Sequence, residues 1–144
     1  MRAKDVMRSE VQCVSETTTL RELSRAFRRH GVTTLSVINE QAELVGVVTE
    51  SELLKAMLPG YSELLDTLQY MQDFEYLEYR ADEVEDVPVR EIMLRGAISV
   101  TENTPLMRVI SLFLLKAASH IPVVRDNRIV GVVTRTDIAE LVLD

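Results

Sequence analysis

A single cysteine, Cys13, stands in the whole chain. One thiol cannot build an internal disulfide framework, and it cannot anchor a cysteine-rich metal site. Its place at the end of an apolar stretch suits a small buried hydrophobe. Histidine is almost as scarce: His30 and His120 are the two in the chain, far from the spacing of a metal-binding pair. No glycine-rich phosphate loop with its lysine occurs, and no nucleophile elbow. No apolar run approaches the roughly 20 residues that span a bilayer. The first residues, MRAKDVMRSE, lack the apolar stretch of a secretory signal. These absences lead to the expectation of a cytoplasmic protein that is not an enzyme and carries neither metal nor catalytic cofactor.

A basic excess is missing as well. The net charge is −7, and it is concentrated in one place. Residues 59–90 hold nine acids and two bases, while the rest holds fourteen of each and is neutral. Without a cationic surface, binding to a nucleic acid backbone is not expected. Hydrophobic residues at 47% and charged residues at 27% suit a globular chain with a real core.

What the chain does contain is a repeat. DVMRSEVQCVSETTTLRELSRAF, from Asp5, lies over EIMLRGAISVTENTPLMRVISLF at an offset of 86. After one deleted residue, LVGVVTESELLKAML lies over IVGVVTRTDIAELVL at an offset of 85. The string VGVVT is identical at 45–49 and 130–134. Each repeat reads as a turn, a short apolar strand, a helix, two β-branched strands and a closing helix. The predicted fold is therefore α+β, with two β-α-β-β-α repeats (residues 1–58 and 91–144) related by a pseudo-two-fold axis. A unit of about 55 residues buries too little surface to stand alone, so the two are expected to pack as one module.

Local chemistry supports the helices. SETTTL and TENTPL offer hydroxyl and amide caps, with Pro105 suited to a first helical position. Leu20, Leu23 and Phe27 share one face of the first helix, and Arg21, Arg25, Arg28 and Arg29 share the other. That arginine stripe reads either as a solvated face or as a device steering phosphate toward a cleft. Between the repeats, residues 59–90 form an acidic insertion holding all four tyrosines. Apolar residues from Tyr61 to Leu77 keep helical spacing. A helix of about 20 residues is expected here, ending in a loop over ADEVEDVP. It is either a connector or an interaction arm that contributes to a homodimer.

The second repeat reads His120-Ile121-Pro122-Val123-Val124, a turn, then Gly131-Val132-Val133-Thr134-Arg135-Thr136-Asp137-Ile138. This grammar resembles the CBS domain, the module named after cystathionine β-synthase, and the resemblance covers both repeats. It implies a regulatory module that binds an adenosine-containing nucleotide (AMP, ADP, ATP or S-adenosylmethionine type) between repeats. It implies a ribose held by Asp137 beside Thr134. Adenine would be framed by Ile121-Pro122 and by the strand at Ile98-Ser99, with Ser119 and His120 near phosphate. Arg135 is either solvent-facing or a phosphate contact. The physical chemistry agrees: a carboxylate accepts from both ribose hydroxyls, and a helix start favours an anion nearby. The same Thr134 and Asp137 also read as an ordinary helix cap. Repeat one departs from the pattern, with Glu52 in place of the aspartate and Ser36 in place of the proline, although Thr49 is kept. One working site per chain is therefore expected. The signal would pass to an unknown effector protein through altered packing. The alternative is a ligand-independent, dimerising scaffold.

Overall fold

The structure, a computed structural model, describes residues 1–58, 74–96, 98–116 and 118–144. The first half of the expected tyrosine-rich helix, over 59–73, lies outside the described residues. Among the described residues there are two three-stranded sheets and five α-helices. The first repeat runs β1 (Cys13–Ser15), α1 (Leu20–His30), β2 (Thr34–Ile38), β3 (Leu44–Thr49) and α2 (Glu50–Ala56). After α3 (Phe74–Val84), the second repeats the order with β4 (Val100–Thr101), α4 (Leu106–Lys116), β5 (His120–Arg125), β6 (Arg128–Thr134) and α5 (Arg135–Leu143). In each sheet the first strand pairs parallel to the second, which pairs antiparallel to the third.

Local sequence explains these boundaries. Thr19 caps α1, its hydroxyl accepting from the Glu22 N–H at 3.2 Å. Gly31 ends the helix in the left-handed region, at φ 65°, where a Cβ would be strained. Asp126 and Asn127, at φ 52° and 64°, make the two-residue turn between β5 and β6 whose twist matches paired strands. Leu20, Leu23 and Phe27 bury into the first core while Arg21, Arg25, Arg28 and Arg29 remain exposed.

Helix α3 departs from the expected loop over the acidic stretch. It continues through Asp82 and Glu83 to Val84, which is buried in the first core. Arg80 pairs with Glu83 at 2.7 Å one turn on, and Arg21 of α1 pairs with Glu85 just past the helix. Opposite charges on both sides relieve the repulsion between the neighbouring acids.

The two halves exchange their leading segments. Ala3, Val6 and Met7 pack into the core of the second repeat. Val89, Ile92 and Met93 pack into the core of the first. Backbone bonds secure both crossings. Arg8 and Val132 exchange two at 2.9 Å, and Val47 and Leu94 exchange two at 2.8 and 3.0 Å. The repeated glycine of VGVVT makes the crossing possible. A Cβ on Gly131 would lie 2.7 Å from the Met7 sulfur and 2.9 Å from the Arg8 carbonyl oxygen. One on Gly46 would lie 2.8 Å from the Met93 sulfur and 2.9 Å from the Leu94 carbonyl oxygen. Contacts that short force atoms apart, so only glycine fits.

Candidate functional site

Between the sheets lies a cleft of about 300 Å³, the lower end of the range for small-molecule sites. Three stretches of chain wall it. The leading segment contributes Arg8, Glu10, Val11 and Gln12; the first repeat contributes His30, Val32, Thr34, Ser36 and Val47; the second contributes His120, Pro122, Val132 and Thr134. The lining mixes valines and Pro122 with charged, imidazole, amide and hydroxyl side chains.

Thr134 and Asp137 sit where β6 passes into α5. Thr134 is the helix cap, its hydroxyl accepting from the Asp137 N–H at 3.1 Å. The Asp137 carboxylate is almost fully buried, at 8% side-chain exposure. One of its oxygens, Oδ1, accepts from Arg8 twice, from Nε at 2.8 Å and from Nη2 at 2.6 Å. The other, Oδ2, is buried with no hydrogen-bond partner. A buried carboxylate oxygen left unpaired is costly, which marks this atom as one built to meet a donor. Burial alone would raise the Asp137 pKa, but the bonds from Arg8 and Thr134 outweigh it and hold the carboxyl below its usual value. The group is therefore an ionised acceptor at neutral pH.

His120 lines the cleft, whereas Asp137 does not and meets it only through Arg8 and Thr134, which do. The His120 Nδ1 lies 2.8 Å from the Ser119 hydroxyl. Burial pushes its pKa down, against a weaker upward pull from Asp137, so the ring is neutral at pH 7. Pro122 and Thr134 line the cleft directly. Ile121 is fully buried in the second core, so its backbone alone could meet a ligand.

Three other candidates lie elsewhere. Ile98 packs against the second core, and Ser99 is exposed; neither lines this cleft. Val11 and Gln12, which lead into β1, line it instead. The Arg135 side chain turns away toward the Phe113 carbonyl oxygen, at 3.5 Å. Sequence reasoning in turn missed Arg8, Glu10, Gln12 and His30. Nothing local in the sequence ties Arg8 to Asp137, 129 residues away.

The equivalent corner of repeat one has different chemistry. Glu52 folds back on its own helix start, accepting from the Thr49 N–H at 2.8 Å and from the Thr49 hydroxyl. The Thr49 hydroxyl in turn accepts from the Ser51 N–H at 3.2 Å. This is a capping box, which needs the longer reach of glutamate. Leu94 stands where Arg8 stands, 86 residues on, and is half exposed.

Among the described residues no three potential metal ligands cluster, and no helix is long and apolar enough to cross a membrane. Burial pushes the Cys13 thiol up, away from the reactive thiolate.

Comparison with known proteins agrees with this fold. The family model for the CBS domain matches residues 3–59 and again 89–144. An uncharacterized protein of Methanopyrus kandleri is 27% identical over 139 residues, spanning 95% of this chain and 60% of that relative. CBSX2, solved in complex with AMP, superposes with a TM-score of 0.74 at 24% identity, covering 99% of this chain and 96% of that one. The CBS domain pair of protein MJ0100, solved with 5′-methylthioadenosine and S-adenosyl-L-methionine, gives 0.70 at 23%, covering 99% and 95%.

Proposed function

The chain belongs to the CBS domain family, and on that premise we propose that it is a regulatory module whose cleft binds an adenosine-containing compound. The observation that carries this reading is Asp137. Its carboxylate is ionised, buried and half-satisfied, with Oδ2 free at the start of α5 beside the Thr134 cap. A ribose presents two adjacent hydroxyl donors, the partner such an oxygen lacks. In this reading Asp137 accepts from the ribose, and the exposed Arg8 side chain shifts to admit it. The Ile121-Pro122 backbone and the apolar walls at Val11 and Val47 frame the base. His120, which lines the cleft, and Ser119, hydrogen-bonded to it, stand near the 5′ end. The structural relatives solved with AMP, methylthioadenosine and S-adenosylmethionine support the ligand class.

Binding acts on other proteins through packing. The cleft is walled by both repeats and by a leading segment that crosses between them. A ligand that grips all three favours one arrangement over another by its difference in affinity for the two. The receiver is an effector protein, and the module itself works as a homodimer in the cytoplasm without catalysing a reaction.

A second reading, a dimerising scaffold indifferent to ligand, is favoured by one feature. Met107, Leu114, Leu115, Val142 and Leu143 of α4 and α5 are all well exposed, a grouping typical of contact surfaces. Thermal unfolding against adenosine and guanosine compounds separates the two, with Asp137→Ala alongside. Ligand at 100 times its dissociation constant adds about 2.7 kcal/mol, several degrees of midpoint. A shift with adenosine compounds that vanishes in the variant supports the sensor. No shift with any compound hands the case to the scaffold.

A further inference from the structure

The arginine stripe of α1 has no place in the cleft: none of Arg21, Arg25, Arg28 and Arg29 lines it. Three of the four, Arg21, Arg25 and Arg28, rim a separate groove of about 360 Å³. Helix α1 forms one wall of this groove. Leu53 of α2 and Met57 just past it form the second, and Ala81 and Val84 of α3 form the third. Leu20 and Val84 are buried in the first core, so the floor is apolar. A further hollow of about 450 Å³ shares Ser24, Arg28, Leu53 and Met57 with it and carries the groove on to Leu54, which is 58% exposed. From Leu20 to Arg28 the α1 wall runs two turns, roughly 12 Å.

Positive charge is in excess along the rim. Three guanidiniums and one carboxylate, that of Glu85, line the groove, and Glu85 is taken by Arg21. Arg25 and Arg28 are exposed and have no carboxylate within salt-bridge distance among the described residues. The continuation adds one acid, Glu50. The fold does not require these cations. In repeat two, 86 residues on, Met107, Ser111 and Leu114 stand at the positions of Arg21, Arg25 and Arg28. The hollow beside Leu114 measures about 240 Å³. The cations thus accompany the half that α3 walls. Two guanidiniums one turn apart on a helix face match the paired oxygens of a carboxylate or phosphate, and the floor beneath them suits hydrocarbon.

We propose that this groove is a second binding site and that it takes an anionic amphiphile free in solution. The hydrocarbon chain lies on the floor, and the carboxylate or phosphate head sits between Arg25 and Arg28. The groove and the cleft share no lining residue, so the proposal stands or falls apart from the adenosine reading.

The test is calorimetric titration of the full chain with decanoate and decyl phosphate, each below its micelle concentration. Acetate and decanol serve as the head and the chain alone. At least one amphiphile should bind about tenfold or more tighter than either control, and the tighter of the two names the head group. The double variant Arg25→Gln/Arg28→Gln should weaken that binding about tenfold or more. Arg108→Gln/Lys116→Gln, on α4, should leave it unchanged. All four side chains are exposed, so both variants should keep the wild-type circular dichroism spectrum. Methyl NMR should show Leu53 and Met57 shifting while Met107 and Leu114 stay in place. No binding of either amphiphile, decanol binding as tightly as decanoate, or an unchanged arginine variant overturns the inference. So do shifts at Met107 and Leu114 instead. Affinity that falls as chain concentration rises would put a second copy in the groove and overturns it as well. None of these outcomes touches the adenosine reading, which the Asp137→Ala comparison decides.

Discussion

The two repeats share a backbone plan and differ at the corner where a ligand would sit. In repeat two, the closest hydrogen bonds of the Asp137 carboxylate are not to its own cap. It points across the interface, where Arg8 takes one oxygen and leaves the other free. In repeat one, the added methylene of Glu52 lets the carboxylate close on the Thr49 backbone and hydroxyl, and Leu94 offers nothing polar in return. The same strand-to-helix turn is thus a potential binding corner in one half and a structural cap in the other. A duplicated fold can keep its architecture while two side-chain changes give one corner different chemistry.

The sharpest way to break this comparison is to remove each carboxylate. Asp137→Ala should weaken the adenosine ligand by about 100-fold or more, since a buried charged hydrogen bond to a ligand is worth about 2–5 kcal/mol. Glu52→Ala should leave affinity unchanged by calorimetry. Equal losses would show two equivalent sites.

Next come the crossings, where the halves should behave alike. Gly131→Ala and Gly46→Ala each press a methyl against a methionine sulfur and a carbonyl oxygen. Each should cost about 1–3 kcal/mol in chemical denaturation. A large loss in one and none in the other would show that the crossings differ in strength.

Smaller effects separate the caps. Thr49→Ala and Thr134→Ala should each cost about 1 kcal/mol of stability, but only Thr134→Ala should also weaken binding. Glu52→Gln should retain the cap, because the capping box accepts either residue.

The shallowest effect is acid sensitivity. Asp137 has its folded-state pKa held below the usual 3.8, chiefly by Arg8 and against the upward push of burial. Its ionised form therefore stabilises the folded chain above that value, and the contribution is lost as pH falls through the lowered folded-state pKa. Asp137→Asn should flatten the acid limb of the unfolding midpoint below about pH 4, followed by circular dichroism. An acid limb identical to that of the wild type would show that Arg8 contributes nothing there.

Much of this was legible in the residues. The doubled VGVVT string and the register of Met7 with Met93 revealed the duplication, and turn and cap chemistry revealed the element order. The sequence also marked repeat one as different by Glu52 and Ser36, and the structure forms a capping box from Thr49 and Glu52. The exchange of leading segments was not, because an offset of 86 relates two segments without saying which core each enters. Ile98-Ser99, expected to frame adenine with Ile121-Pro122, does not line the cleft, whereas Val11 and Gln12 do. Helix α3 outran its acidic end because Val84 gains burial and Arg21 and Arg80 neutralise its neighbours, and tertiary partners of that kind leave no local mark.

The crossed leading segments have a consequence for what counts as the smallest folding unit. Each repeat lends its first residues to the other, so a lone repeat keeps an arm with nowhere of its own to place it. Two identical lone repeats could satisfy each other only by trading arms, as domain-swapped partners do. Joining them in one chain turns that trade into an intramolecular one, at an effective concentration far above that of free halves. A chain severed between the repeats would accordingly stay together, each fragment clasped by the other's arm.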